Sequence, residues 1–309
     1  MNEKFAIKRE ANLSYEDFAR KYLYTNTPVI VTDALRHWKA VQRWTPEFFK
    51  SEFGDMKFSI ASTEYGQKGH KQEKAAEYNM AQFIDAVLAS NEERPAPYFR
   101  NRILSQLFPS LVQDIEPLPD YFQPNWLSDR YMVKHVGEVL NRGSEMELYI
   151  GGQGSSFPVL HYDGAGVHAF LMQIYGRKEF IVYSPDQEPY LYPSPVKANL
   201  SLVNSVDNPN LAEFPLFAKA TAIRFVLEPG ELLFVPSHWW HTTKMLSPSI
   251  TISANVLNQS NWQELVSFVS RGRKNPLVSF GSRLYLNFAG AWRAWRDREW
   301  RKRVGHTTA

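Results

Sequence analysis

From Ser249 to Val256 the chain alternates without a break, with Thr251, Ser253 and Asn255 on one side and Ile250, Ile252, Ala254 and Val256 on the other. Successive side chains of a strand point to opposite faces, so this octad is a strand with one polar and one apolar side. In a half-exposed strand the polar side faces water. In a barrel that encloses a cofactor it lines the interior. A second strand is announced by the Pro-Gly turn in Leu227-Glu228-Pro229-Gly230-Glu231, followed by the apolar run Leu232-Leu233-Phe234-Val235. The chain has 309 residues, 44% of them hydrophobic, enough to bury the core of one barrel with helical decoration.

Three further residues stand out. Pro158-Val159-Leu160-His161-Tyr162-Asp163 reads as extended, which sends His161 and Asp163 to one face and Tyr162 to the other. A lone His-x-Asp triplet arises by chance, and a lone histidine is more often a structural hydrogen-bonding residue. The third residue comes from Pro236-Ser237-His238-Trp239-Trp240-His241, where two histidines compete. They lie an odd number of positions apart, so a continuous strand would bring only one of them to the same point. Two neutral imidazoles and one carboxylate on one side of a metal, with the other side open, suit a non-haem Fe(II) that must also hold a cosubstrate and O₂.

Over residues 157 to 256 the sequence resembles the catalytic core of the JmjC (Jumonji C) oxygenases, cupin-type barrels that use Fe(II) and 2-oxoglutarate. The match runs through His161-Tyr162-Asp163, Gln173-Ile174-Tyr175-Gly176-Arg177-Lys178, Tyr183-Ser184-Pro185 and Tyr190-Leu191-Tyr192-Pro193. It continues in Val206-Asp207-Asn208-Pro209, Phe214-Pro215, the Glu228-Pro229-Gly230-Glu231 turn, Trp239-Trp240-His241 and Ile250-Thr251-Ile252-Ser253-Ala254-Asn255. The nearest likeness is to the small single-domain hydroxylases, among them the asparaginyl hydroxylase that acts on hypoxia-inducible factor. The resemblance implies a mainly β fold: a double-stranded β-helix (cupin or jelly-roll) barrel with N-terminal α/β decoration and C-terminal helices. It implies an N-terminal portion over residues 1–130, the barrel core over 131–258 and a C-terminal helical basic segment over 259–309.

By the same resemblance His161, Asp163 and His241 hold iron, His241 being preferred to His238. Lys178 pairs with the distal carboxylate of 2-oxoglutarate, Asn255 lies beside the cosubstrate near the metal, and Tyr98 also reaches that carboxylate. Read without the resemblance, Lys178 is a surface lysine after the Gly176-Arg177 turn and Tyr98 a packing residue. Two departures stand against the family pattern. Pro158 occupies the position where many relatives carry Thr or Ser, and Ser155 or Ser156 replaces that hydroxyl only if the strand bulges. The segment Gly164-Ala165-Gly166-Val167-His168 is two residues longer than in the asparaginyl hydroxylase, of the length seen in the branch with lysyl hydroxylases. No asparagine sits at its end, where His168 or Leu171 stands near the usual place; His168 is a pocket candidate, or a satisfied histidine at a strand start.

The implied reaction converts 2-oxoglutarate and O₂ to succinate and CO₂ while a nearby C–H bond is hydroxylated. The absence of cysteine excludes disulfides, thiolate zinc sites and iron–sulfur clusters, including the zinc fingers that often accompany histone demethylases, so demethylation ranks below hydroxylation. Neither a membrane-spanning run nor a secretory signal is seen, and a cytoplasmic location is expected. Helix starts are read at Ser14, leading to Tyr22, at Thr45-Pro46, and at Asn79 before Phe83, Val87 and Leu88; Thr27–Val31 reads as a strand and residues 64 to 78 as an exposed polar loop.

Residues 271 to 303 carry ten Lys or Arg against Asp297 and Glu299, a local charge of +8 in a chain of +3, which leaves −5 for the rest. Leu284, Phe288, Trp292, Trp295 and Glu299 recur there at helical spacing. Homodimerisation through this helix is the leading expectation, ahead of a structural amphipathic helix and of an RNA or acidic partner. The substrate is expected to be a protein or peptide side chain or an amino acid. The alternatives are a hydroxylase acting on RNA or tRNA through the basic segment, and a cupin-like binding protein without turnover. Arg100, beside Tyr98, reads as a solvated arginine or as a residue that meets an acidic group of the substrate.

Overall fold

Two facing β-sheets carry the molecule in the computed structural model, which describes residues 6–61, 75–128, 145–271 and 275–303. The strands are β1 (Lys8–Glu10), β2 (Val29–Val31), β3 (Lys57–Ala61), β4 (Ala75–Asn79), β5 (Phe99–Ile103), β6 (Glu147–Gly151), β7 (His168–Tyr175), β8 (Lys178–Tyr183), β9 (Ile223–Leu227), β10 (Leu232–Val235), β11 (Trp240–Met245) and β12 (Ser249–Val256). The larger sheet runs β1-β2-β10-β7-β12-β6-β5, the smaller β11-β8-β9, and β3 and β4 form a separate hairpin. Strands β1, β2 and β5 therefore complete the larger sheet from the N-terminal part of the chain.

The alternation of β12 decides what each face of the larger sheet meets. Ile250, Ile252, Ala254 and Val256 join Phe170 and Met172 of β7 and Leu148 and Ile150 of β6 in the main core. Among the helices α1 (Tyr15–Phe18), α2 (Lys39–Arg43), α3 (Pro46–Phe53), α4 (Met80–Leu88) and α5 (Leu104–Leu107), α3 and α4 close that core and contribute Phe49, Phe83, Ile84 and Val87. Full burial of each such side chain contributes about 1.5–3 kcal/mol. Both helices start where the sequence places them. Thr45 accepts a hydrogen bond from the Phe48 amide, and Asn79 and Gln82 form a reciprocal capping box.

Between the sheets, Ile30, Ala169, Phe180, Val182, Leu227, Leu233 and Val235 fill one end of the barrel. The other end is left to polar residues. On the outer face of the smaller sheet, Ile181, Tyr183 and Trp240 are covered by Leu191, Val203, Phe214 and Phe217 of the loops between β8 and β9. A mainly β cupin barrel with C-terminal helices is thus the fold expected.

Three local expectations are corrected. The helix begun at Ser14 is α1 (Tyr15–Phe18), but its continuation over Ala19–Leu23 widens to a π-helix. The polar loop expected over 64–78 holds β4 at its C-terminal end, where Ala75-Ala76-Glu77-Tyr78-Asn79 pairs antiparallel with β3; residues 64–74 lie outside the described residues. The segment before Asp163 is extended but not a regular strand, since His161 makes only isolated bridges, to Leu200 and to His241.

At the C-terminus, α6 (Trp262–Arg271) packs on α7 (Pro276–Arg303). The face of α7 that docks carries Leu286, Gly290 and Ala294, with Asp297 accepting from the Trp126 indole at 2.6 Å. A Cβ at Gly290 would stand 2.1 Å from the Trp262 indole nitrogen, so this approach requires glycine. The stripe read from the sequence faces the other way: Leu284, Phe288, Trp292 and Trp295 are all exposed. Among the described residues no helix is long and apolar enough to cross a membrane.

Candidate metal centre

His241 is the second residue of β11 and faces the space between the sheets, while its neighbour Trp240 points into the outer core. Across from it, His161 exchanges two backbone hydrogen bonds with His241, which places the two ring centroids 4.4 Å apart. Asp163, two residues on, returns to the same face. Ligand atoms of His161, Asp163 and His241 all lie within 4.8 Å of one another, with His161 Nε2 3.9 Å from an Asp163 carboxylate oxygen. The alternation argument therefore holds for backbone that is extended without being a ladder strand.

Both imidazoles are held in one tautomer. His161 Nδ1 is 3.1 Å from the Val159 carbonyl and His241 Nδ1 is 3.0 Å from the Trp239 carbonyl. A carbonyl only accepts, so each Nδ1 carries the hydrogen and each Nε2 keeps its lone pair for a metal. Burial, reinforced by the neighbouring His241, lowers His161 to about 3 and keeps its ring neutral. Burial raises Asp163 above the usual carboxylate range, opposed by His241. Phe157 stacks on His161 at 4.4 Å and fixes the plane of its ring.

His238 is excluded from this group. It sits at φ 64° in the turn before β11, stacks on Tyr162 at 4.8 Å and reaches Glu264 at 3.0 Å. The competition between the two histidines is settled by that turn, which breaks the continuous strand the sequence argument assumed.

Behind the triad lies an inner chamber of about 170 Å³ between the two sheets. Lys178, Phe180, His241 and Thr243 line it from the smaller sheet, and Leu171, Ser253, Asn255 and Tyr149 from the larger one. Lys178 is 3% exposed, so the reading of it as a surface lysine fails. Its ammonium donates to the Tyr98 hydroxyl and to Thr251 Oγ1, both at 3.1 Å. Burial lowers Lys178 from 10.5 to about 7, and among the described residues no carboxylate pairs with it. Burial likewise pushes the Tyr98 hydroxyl above its usual range. A buried amine with two hydroxyl partners and no counter-charge is a site for the carboxylate of a ligand.

In front of the triad opens an outer cleft of about 390 Å³, lined by Arg100, Arg102, Val159, Tyr162, Asn199 and neighbouring residues. Tyr98, Asn101, Phe157, His161 and Asp163 belong to the walls of both cavities. The donors thus stand at the boundary between them.

Other expected residues lie elsewhere. His168 is buried, but its Nδ1 accepts from the Ser237 amide at 2.9 Å and its Nε2 meets Ser260 Oγ at 2.8 Å; it is a satisfied histidine and does not line the chamber, whereas Leu171 does. Ser155 turns away from the chamber to donate to the Ala96 carbonyl, and Ser156 lies outside it, so neither replaces the hydroxyl missing at Pro158. Thr243 was not anticipated. It is buried in the chamber wall beside the Tyr98 hydroxyl, without a hydrogen bond of good geometry to it or to any other described residue. It lies two residues after His241 on the same strand, and that spacing is the signal that could have found it. Glu147 and Tyr149 were also missed. Tyr149 donates to Glu147 at 2.6 Å, Asn101 donates to both, and burial and this carboxylate raise the tyrosine well above its usual range.

Comparison with known proteins agrees with this geometry. The family described as cupin-like domain matches residues 15–264. Among curated proteins the chain is 26% identical to arginine-specific demethylase JMJ20 of Arabidopsis thaliana, over 81% of this chain and 56% of the relative. It is 30% identical to lysine-specific demethylase 8 of Danio rerio, over 78% of this chain and 55% of the relative. It is 39% identical to HSPB1-associated protein 1 of Homo sapiens, over 40% of this chain and 24% of the relative. The chain spans about half the length of the demethylases it matches.

Proposed function

Because this chain belongs to the cupin-like JmjC oxygenases, which use Fe(II), 2-oxoglutarate and O₂, we propose that it hydroxylates a C–H bond of a protein or peptide side chain, or of an amino acid. The observation that carries the reading is the meeting of His161, Asp163 and His241 on the boundary between a chamber with a buried amine and a cleft open to a larger molecule. The donor set fits a ferrous ion: two neutral imidazoles and one carboxylate on one side, with room on the other. The chamber fits a keto acid, since Lys178 and Tyr98 offer a cation and a hydroxyl side by side in its wall.

In this reading His161, Asp163 and His241 hold the iron, and Val159 and Trp239 orient the two rings through their carbonyls. Lys178, held by Thr251, and Tyr98 receive the distal carboxylate, Asn255 lines the wall of the chamber, and Thr243 supplies the hydroxyl that Pro158 cannot. Bound iron and keto acid supply the oxidising chemistry, releasing succinate and CO₂. The protein orients them, keeps water from the chamber and holds the substrate carbon on the cleft side of the triad. Succinate formation that requires both Fe(II) and 2-oxoglutarate, and is lost in His161→Ala and Asp163→Asn, tests this. Full turnover in either variant would refute the ligand assignment.

Demethylation is the second reading, favoured by the names of the relatives. It begins with the same attack on a C–H bond, of an N-methyl group. A mass gain of one oxygen supports hydroxylation, whereas formaldehyde release supports demethylation. The segment 259–309 joins two copies through the exposed face of α7, which buries Phe288, Trp292 and Trp295 in a shared interface.

A further inference from the structure

The outer cleft has a charge pattern that bears on what enters it. Among its described lining residues, the charged side chains other than the triad are Arg100 and Arg102. Both come from β5, whose pairing with β6 slips between Phe99 and Arg102, with Asn101 at φ 54°. Such a bulge re-aims side chains beside a site, and here it puts residues 100, 101 and 102 all on the cleft wall. The Arg100 guanidinium lies 5.8 Å from the centre of the Phe157 ring, which itself stacks on His161. Arg102 is anchored by donation to the Ser59 carbonyl and lies over Phe99, and among the described residues no carboxylate pairs with it.

Two like charges around one opening repel each other; burial and the neighbouring Arg100 both lower the affinity of Arg102 for its proton. The cleft's own carboxylate, Asp163, belongs to the metal triad, and Glu147 lines only the inner chamber, where it is held by Tyr149 and Asn101. We propose that the outer cleft selects a peptide or amino-acid substrate that presents a carboxylate to Arg100 and Arg102 beside the carbon to be oxidised. This rests on the oxygenase reading and names the substrate class for it. A guanidinium fork matches a carboxylate with two parallel hydrogen bonds, and the resulting anion between two cations removes the repulsion. A cationic side chain would add a third positive charge. A nucleic acid would need a row of phosphate contacts, whereas Arg293, Arg296 and Arg298 of α7 do not line the cleft.

The test is calorimetric titration of the full chain loaded with Mn(II) and 2-oxoglutarate, repeated without them. The probes are pools of N-acetylated hexapeptides of Ala, Gly and Ser: C-amidated with one Asp or Glu, C-amidated with one Asn or Gln, C-amidated with one Lys, and uncharged with a free C-terminal carboxylate. A twelve-residue oligouridylate is the fifth probe. The Asp/Glu pool or the free-carboxylate pool is expected to bind about tenfold tighter or more than the Asn/Gln pool, which also tells a side-chain from a terminal carboxylate. Arg100→Gln should bring the two within about twofold, Arg100→Lys should keep part of the preference, and Arg100→Glu should turn it towards the Lys pool. Equal binding of acid and amide pools, best binding of the Lys pool by the unchanged chain, or tightest binding of oligouridylate lost in Arg100→Glu would overturn the proposal. Failure to bind Mn(II) and 2-oxoglutarate would instead refute the oxygenase reading, and the titration without them still reports on the cleft.

Discussion

His161 and His241 are a directly opposed backbone pair: the amide of each donates to the carbonyl of the other, at 3.1 and 2.6 Å. Eighty positions apart in sequence, they are set at metal-ligating distance by main-chain geometry alone, before any ion enters.

Removing one ring should therefore weaken metal binding without unfolding the barrel, because the paired backbone stays. Loss of a group that merely orients a ligand costs 10–100-fold in metal affinity, so His161→Ala and His241→Ala are expected to cost on the order of a hundredfold or more. Titration with Mn(II), alongside circular dichroism to show that the fold persists, checks this. His238→Ala should leave metal affinity unchanged, since its ring is turned to Glu264.

The keto-acid site should be sensitive to pH. Binding a carboxylate needs the ammonium form of Lys178, which in the unliganded fold loses its proton near 7. The dissociation constant for 2-oxoglutarate is expected to be flat below pH 7 and to rise about tenfold per unit above it, until the pKa of the complex is reached. Lys178→Met should bind weakly and lose this dependence. For stability the sign is opposite: the unfolded chain keeps the proton up to about 10.5, so this group favours the unliganded fold increasingly as pH rises from 7. Calorimetry between pH 6 and 9 reads the first effect and thermal melts the second.

Thr243→Val exchanges a buried hydroxyl that lacks a well-formed hydrogen bond for a methyl group of similar shape. The unliganded protein should gain about 1 kcal/mol, while 2-oxoglutarate binding weakens several-fold, about what one hydrogen bond contributes. A variant that melts lower, or binds the keto acid as well as before, would show that the hydroxyl has another role.

Gly290→Ala tests the docking of α7. The added carbon meets the Trp262 indole, and such overpacking costs about 1–3 kcal/mol. The loss should appear in chemical denaturation.

The opposite face of α7 makes a separate prediction. Phe288→Glu with Trp292→Glu places charge on exposed apolar surface and should leave the folding of one copy intact while converting a dimer to monomer, as measured by light scattering.

Much of the site was legible because strand periodicity acts through backbone direction rather than through ladder bonds. His161 and Asp163 share a face although neither belongs to a regular strand, and the faces of β12 divide core from chamber just as their alternation demands. The same rule brings Thr243, two residues from His241, to the chamber wall. What the sequence hid arises from tertiary context. Ala75–Asn79 is poor in strand-forming residues, and pairing with β3 decides its conformation. The position of Asn101 follows from a slip in register that no local pattern announces. The stripe on α7 was correctly read as one face of a helix, but the helix docks by its small residues instead, because a flat indole accepts glycine and alanine more closely than it accepts another aromatic ring.

The two cavities share the wall of Tyr98, Asn101, Phe157, His161 and Asp163, and this arrangement sets a timetable. In the proposed reaction a peptide seated at the front would cover the wall that both compartments share, so the small acid behind it is expected to exchange more slowly while the peptide is bound.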